Sequence, residues 1–313
     1  MSTSIVVQQM SVIMILVVIG FVLCKKKVMD KTFSQKVSVI IMDICNPAMI
    51  LTAVLSGNVS AGHDEMLKAI LVGFLFYLVL IALGFLMPVL LRADISEKRF
   101  YNVMTVYTNI GFIGIPVARA ILPENAILPV IICNVIFSLL FYTHGIVVLS
   151  GGKSGMSLKN ILSPGTIMAV VALLICWFDY KPPVIISSCA AYIGNATVFL
   201  SMALLGAAIA RSKLAEGLLN TRIWAFVVIR LVVFPLAVFM TLKAIGCDDD
   251  MCLGFSLMAM MPIGNLSLIQ SEKMGADTGL LSRAIAVTTL VSMFTITGLM
   301  ILFSSPIMNG GSL

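Results

Sequence analysis

Charge is what this sequence has least of. Asp, Glu, Lys and Arg make up 11% of its 313 residues, against roughly 25% in a soluble globular chain. With 60% hydrophobic residues, a water-soluble fold could not hide its apolar surface, so the chain reads as a membrane protein. No basic patch interleaved with aromatics is present, so the net charge of +6 does not point to nucleic acid. No Cys-x-x-Cys pair occurs among the seven cysteines. Most lie in apolar runs and read as small core residues rather than disulfide or metal partners. No cleavable signal is expected either. Residues 1–9 carry no positive segment, and the first apolar run ends in Cys24-Lys25-Lys26-Lys27 rather than in small residues. Histidine is scarce: His63 lies in a connection and reads as solvated, and His144 alone falls in an apolar run. An intramembrane enzyme would need a nucleophile with a base beside it, and that pair is missing. Ser154, in Gly151-Gly-Lys-Ser-Gly155, sits in a polar connection without the spacing of a phosphate loop.

What is present is a series of long apolar runs. A spanning helix needs about 20 apolar residues. Ten segments qualify: roughly 5–23, 33–56, 67–91, 100–122, 126–149, 160–178, 184–210, 222–245, 251–271 and 280–303. The connections are too short for a soluble domain. Fifteen basic residues lie in the odd connections, among them Lys25, Arg92, Lys98, Lys153, Lys159, Arg211, Lys213, Arg222, Lys273 and Arg283. Four lie in the even ones: Lys68, Arg119, Lys181 and Lys243. That asymmetry places the odd connections in the cytoplasm and both termini outside.

Two halves are visible within the ten spans. Asn46-Pro-Ala-Met-Ile-Leu-Thr-Ala-Val-Leu-Ser-Gly57 in the second span aligns with Asn195-Ala-Thr-Val-Phe-Leu-Ser-Met-Ala-Leu-Leu-Gly206 in the seventh. Asn109-Ile-Gly111 in the fourth aligns with Pro262-Ile-Gly264 in the ninth at a similar offset. Five spans per half is an odd number, so the second half (150–313) is expected upside down relative to the first (1–149), as in many secondary transporters.

The fourth and ninth spans hold residues that break helices. Pro116 removes the amide that would bond residue 112, and Gly111 and Gly114 weaken the same turn. Pro262 does likewise in the ninth span, beside Gly264 and Asn265. Broken backbone is tolerated in a bilayer only where protein or a water-filled cavity satisfies it. Two half-helix N-termini are therefore expected at the midplane, where free amides and partial positive charge suit a carboxylate. A plain proline kink in each span is the alternative.

Several polar side chains also fall at membrane depth. For Asp43 and Arg230 three readings stand open: a structural ion pair, Arg230 as a carboxylate clamp, or Asp43 as a proton-coupling group. Asn109 and Asn265 stand at the expected breaks and are candidates for substrate or ion contact. Asn134 divides evenly between that role and interhelical hydrogen bonding. Asn46 and Asn195 occupy repeat-equivalent positions and either line the facing wall or close an interface. Glu272 is expected to be exposed at the end of the ninth span. No residue pattern calls for a cofactor or metal.

Asp43, Asn46 and Pro47, the string Asn109-Ile-Gly-Phe-Ile-Gly-Ile-Pro116, and Met261-Pro262 followed by Lys273-Met-Gly275-Ala-Asp277 together resemble the auxin efflux carrier family. The resemblance runs along the whole chain and is closer to the short bacterial members described as malate or malonate permeases. The long cytoplasmic loop of many plant carriers is missing, so regulation through such a loop is not implied. The resemblance implies an all-α fold of ten spans, of the bile-acid-symporter and sodium/proton-antiporter type. Spans 1, 2, 6 and 7 would be a scaffold; spans 3–5 and 8–10 would be a mobile unit, with spans 4 and 9 crossing at their breaks. It implies carriage of organic anions by an elevator-like mechanism, in a cell-membrane homodimer. Asn109, Pro116 and Pro262 would lie at the crossover, with Asp43 and Asn46 on the facing scaffold wall; Gly111, at the fourth-span break, is a further site candidate. No cluster of carboxylates signals a sodium site, which favours protons or uncoupled transport. An ion channel or a membrane sensor is the competing class, although no output domain is visible.

Overall fold

The computed structural model describes residues 3–55, 62–152, 162–178, 180–211 and 214–303. Gly57, Lys153, Ser154, Lys159 and Lys213 lie outside them. Among the described residues the chain is helical, and its extended pairing is a single antiparallel bridge between Thr108 and Ile263. In chain order the helices are α1 (Thr3–Lys25), α2 (Lys31–Leu55), α3 (His63–Leu90), α4 (Lys98–Val106), α5 (Ile110–Ile121), α6 (Ile127–Leu149), α7 (Pro164–Phe178) and α8 (Val184–Arg211). They continue with the short α9 (Leu214–Leu218), then α10 (Thr221–Ala244), α11 (Asp249–Ala259), α12 (Asn265–Lys273) and α13 (Gly279–Phe303). Six of these (α2, α3, α6, α8, α10 and α13) are long and apolar enough to cross a membrane. The chain is thus an all-helical, multi-pass membrane protein.

Three of the four π-turns among the described residues trace to proline; the fourth, Phe141–Gly145, precedes none. Proline lacks an amide, and its ring crowds the carbonyl four residues back. Pro47, Pro116 and Pro235 each follow a wider π-turn: Ile41–Cys45, Ile110–Gly114 and Ile229–Val233. The widened turn relieves the crowded carbonyl without ending the helix. The fourth span therefore does not break at Pro116, as the residue pattern predicts. Pro116 lies within the continuous helix α5, just after the Ile110–Gly114 π-turn, and the wider turn accommodates its missing amide. The break lies earlier, at Tyr107–Asn109, between α4 and α5. In the ninth span the break lies where the residues place it, around Pro262, between α11 and α12.

Packing falls into two groups. Helix α1 packs on α8, and α8 and α7 pack on α2. Helix α3 packs on α4 and α6, and α11 packs on α6 and α10. The α1–α8 contact is close because both helices offer small residues. A Cβ on Gly206 would stand 1.9 Å from the Val17 carbonyl oxygen, and one on Gly20 would stand 2.1 Å from that of Ala203. The two groups meet where α7 touches α6, α1 touches α5, and α12 lies on α2 and α8.

Ion pairs bring the basic connections together on one face. Arg222 Nη1 lies 2.8 Å from Asp94 Oδ2 and 3.3 Å from Glu97 Oε2. Arg283 reaches Glu216 at 3.0 Å, and Arg211 reaches Glu272 at 2.6 Å. These contacts join the connections around residues 92–99, 211–222 and 272–283.

Candidate functional site

The two broken segments are stitched together through their backbones. The Asn109 amide donates to the Pro262 carbonyl at 2.8 Å, and the Gly264 amide donates to the Tyr107 carbonyl at 2.9 Å. The Ile263 amide finds Thr288 Oγ1 on α13 at 3.4 Å. Backbone that leaves a helix inside a bilayer must be satisfied by protein, and here each strand of the crossing satisfies the other. A Cβ on Gly264 would lie 2.8 Å from the carbonyl oxygens of both Tyr107 and Thr108, so only glycine permits this approach.

The crossing leaves two C-terminal helix ends, those of α4 and α11, with carbonyls that no further turn can satisfy. Arg230 serves both. Its Nε donates to the Thr105 carbonyl at 2.9 Å and its Nη1 donates to the Ala259 carbonyl. The guanidinium is fully buried and lies 4.8 Å over the Phe234 ring. A cation at two helix C-termini also opposes their partial negative charges.

On the other side of the crossing begin the N-terminal ends of α5 and α12. A small cavity of about 10 Å³ lies there, lined by Asn46 and Met49 of α2, Thr108, Asn109, Gly111 and Phe112 around the first break, Asn134 and Phe137 of α6, and Gly264, Asn265 and Leu266. Its volume admits about one water molecule. Four buried polar atoms of its lining have no hydrogen-bond partner among the described residues: Thr108 Oγ1, Asn109 Nδ2, Asn134 Nδ2 and Asn265 Oδ1. Unpaired polar atoms are rare in protein interiors and each costs about 1–3 kcal/mol. Of the fourteen such atoms among the described residues, four surround this one cavity.

Neighbouring contacts hold these amides in place. Asn265 Nδ2 donates to the Ser201 carbonyl of α8 at 3.4 Å. Asn46 Nδ2 donates to Tyr142 Oη at 3.2 Å, and that hydroxyl donates to the Met42 carbonyl. Gly111 keeps the floor open: a Cβ there would stand 2.6 Å from Met49 Cε and 3.3 Å from Asn134 Oδ1. On the far side of Tyr107, His144 Nδ1 lies 2.9 Å from the Tyr107 hydroxyl, which donates to the Leu140 carbonyl.

The expected site residues therefore separate. Asn46, Asn109, Gly111, Asn134 and Asn265 line one cavity, and Pro262 holds the Asn109 amide beside it. Arg230 stands at the opposite helix ends, and Pro116 lies two turns into the fourth-span segment. Asn195 lies on an exposed face of α8, outside the cavity lining. No Asp43–Arg230 pair forms. Asp43 is 39% exposed and holds Lys273 Nζ at 2.8 and 3.1 Å. Glu272, expected at the surface, is buried with its side chain 5% exposed. Residue patterns overlooked Thr108, Met49 and Phe137. Thr108, next to Asn109 at a break, carried a usable signal; the other two are ordinary apolar residues whose helical register alone decides what they face.

The sequence matches the family described as "Membrane transport protein" over residues 5–158 and 153–300. An "Uncharacterized transporter" of Methanocaldococcus jannaschii is 25% identical over 298 residues, covering 91% of this chain and 94% of that protein. A "Putative malonate transporter" of Rhizobium meliloti is 21% identical over 253 residues, covering 77% of this chain and 78% of that protein. A match along nearly the whole chain settles the membership: the chain belongs to the membrane transport protein family, that of the auxin efflux carriers.

Proposed function

We propose that the protein is a secondary transporter of small organic anions, carboxylates of the malonate or malate type or auxin-like acids. The observation that carries this reading is the set of four unpaired polar atoms around the crossing, two of them amide N–H groups. The N-terminal ends of α5 and α12 add free backbone donors and partial positive charge. A carboxylate accepts several such bonds, while the neutral amides can release it again, as a carrier must. The name of the Rhizobium meliloti relative supports a dicarboxylate.

In this reading ten spans form two inverted five-helix repeats, 1–149 and 150–313. Spans 1, 2, 6 and 7 are the scaffold, and spans 3–5 and 8–10 move as a unit carrying the crossing. The two packing groups support that division. The cavity is contracted and is bounded by Asn46 and Met49 on the scaffold side. A sliding displacement of the mobile unit would open it to one side of the cell membrane at a time. The basic face would be cytoplasmic, with both termini outside, and the scaffold would mediate a homodimer. Arg230 is then a frame residue that keeps the crossing intact, and Pro116 shapes the helix behind the site.

The test is a thermal-shift and binding screen of purified protein against malonate, malate, other carboxylates and indole-3-acetate, at two pH values, with and without sodium. A saturable shift with one carboxylate class supports the reading. Equal indifference to all of them contradicts it. A channel would instead show conductance without saturable binding.

A further inference from the structure

A second cavity, of about 200 Å³, opens on the basic face between α2, α8, α12 and the N-terminal end of α13. Its lining includes Lys31, Arg211, Glu272 and Asp277. Glu272 ends the half-helix α12, whose other end carries Asn265 of the crossing. The Glu272 side chain is 5% exposed. One carboxylate oxygen, Oε1, holds Arg211 of α8 at 2.6 Å. The other, Oε2, is buried and has no partner among the described residues. The Glu272 carbonyl also accepts from Gln35 Nε2 of α2 at 3.1 Å.

An acid in this setting is balanced between two states. Burial disfavours its charge, and Arg211 favours it. The other charged groups lining its cavity are Lys31 of α2 and Asp277 in the following connection; Lys273, next to it on its own helix, is engaged by Asp43, and Arg283 of α13 by Glu216. Asp43, the other candidate acid, has both oxygens on Lys273 and is partly exposed. Glu272 differs on both counts: one oxygen is free to take a proton, and it lines a cavity of ample size for water.

The geometry points to Glu272 as a proton-binding site that latches α12 to α2 and α8, and with it the crossing to the scaffold. This assignment rests on the transporter reading for its purpose, but its chemistry does not depend on the substrate. A proton from cavity water adds to Oε2. No other bond forms or breaks, and the carboxylate becomes a neutral acid. The Arg211 contact then loses its ionic part, and the seam that must slide for alternating access is loosened. Deprotonation restores the latch. Proton binding and displacement are coupled because only the neutral form leaves Arg211 readily.

Two measurements on the purified full chain test the site without a substrate. The first is pH-difference infrared spectroscopy. Wild type gives a protonated-carboxyl band on acidification that Glu272→Gln lacks and Glu272→Asp retains. The second is hydrogen exchange of the amides of residues 265–273, corrected for the intrinsic pH dependence of exchange. Wild type loses protection several-fold as pH falls, whereas Glu272→Gln is already unprotected at every pH. A carboxyl band unchanged in Glu272→Gln, no band in wild type, or pH-independent protection in wild type overturns the assignment. Glu272→Asp, which keeps the acid, controls for folding. Malonate flux in proteoliposomes is measured alongside. Its absence from wild type would remove malonate from the functional reading and leave the Glu272 result standing. If flux is present, wild type should change by up to about tenfold per pH unit, the limit for one proton, and Glu272→Gln should be flat. Wild-type pH dependence in Glu272→Gln overturns the coupling.

Discussion

Asn109 and Pro262 lie 153 residues apart in sequence, yet the amide of one donates to the carbonyl of the other at 2.8 Å. This bond and its partner, from the Gly264 amide to the Tyr107 carbonyl, tie two broken helices together. The crossing is close enough that any side chain at 264 would meet two carbonyl oxygens at 2.8 Å. Gly264→Ala is therefore expected to lower stability by about 1–3 kcal/mol, the usual cost of overpacking, and to abolish substrate-induced thermal shifts. Thermal unfolding in detergent, with and without carboxylate, reads both effects.

Arg230 gives a prediction about stability. Its two hydrogen bonds run from a charged group to carbonyls, worth roughly 1.5–3 kcal/mol each, offset by the cost of burying the cation. Arg230→Met should destabilise the protein by about 2–4 kcal/mol. Arg230→Lys should recover only part of this, because an ammonium lacks the fork that serves two carbonyls. Unfolding midpoints of the three proteins decide it; Arg230→Met with wild-type stability would show that the contacts contribute nothing.

The α1–α8 contact is a test of close helix packing. A methyl group on Gly206 would stand 1.9 Å from the Val17 carbonyl oxygen and 2.6 Å from the Phe21 amide nitrogen. Backbone cannot rotate away as a flexible side chain can. Gly206→Ala should force the helices apart at a cost of about 1–3 kcal/mol, seen as a lower unfolding temperature and reduced protection of both helices in hydrogen exchange.

On the basic face, the Arg222 hydrogen bond, then its charge, holds the Asp94 carboxyl below the ordinary carboxylate range. A lowered folded-state value means that the pair stabilises the fold above the unfolded-state value of about 4. That contribution is lost as pH falls through the folded-state value. Both side chains are exposed, at 37% and 66%, so screening keeps the effect small. Asp94→Asn should lower the unfolding temperature slightly at neutral pH and leave it unchanged in strong acid, and the difference should shrink with added salt.

How much of this was legible in the residues follows from what each signal measures. Hydropathy reports burial in lipid, so helix ends such as Val184–Arg211 fall within a few residues of the expected span 184–210. Pro262 marked its break correctly because it lies within the extended segment. Pro116 misled, because a widened π-turn absorbed its missing amide and moved the break to Tyr107–Asn109. The Asp43 partner could not be read, since the rotation of each helix against its neighbours leaves little trace in one sequence. Glu272 looked exposed because charge at a helix end usually is. Its burial depends on Arg211, 61 residues away.

The central claim is that the amides at the crossing hold the transported carboxylate, and Asn109 tests it most directly. The measurement is uptake of labelled malonate by proteoliposomes containing wild type or Asn109→Ala at equal density, with unfolding temperature as the control for folding. Loss of one hydrogen bond to a charged ligand predicts a roughly 10–100-fold fall in flux with the unfolding temperature nearly unchanged. Wild-type flux in Asn109→Ala would contradict the account.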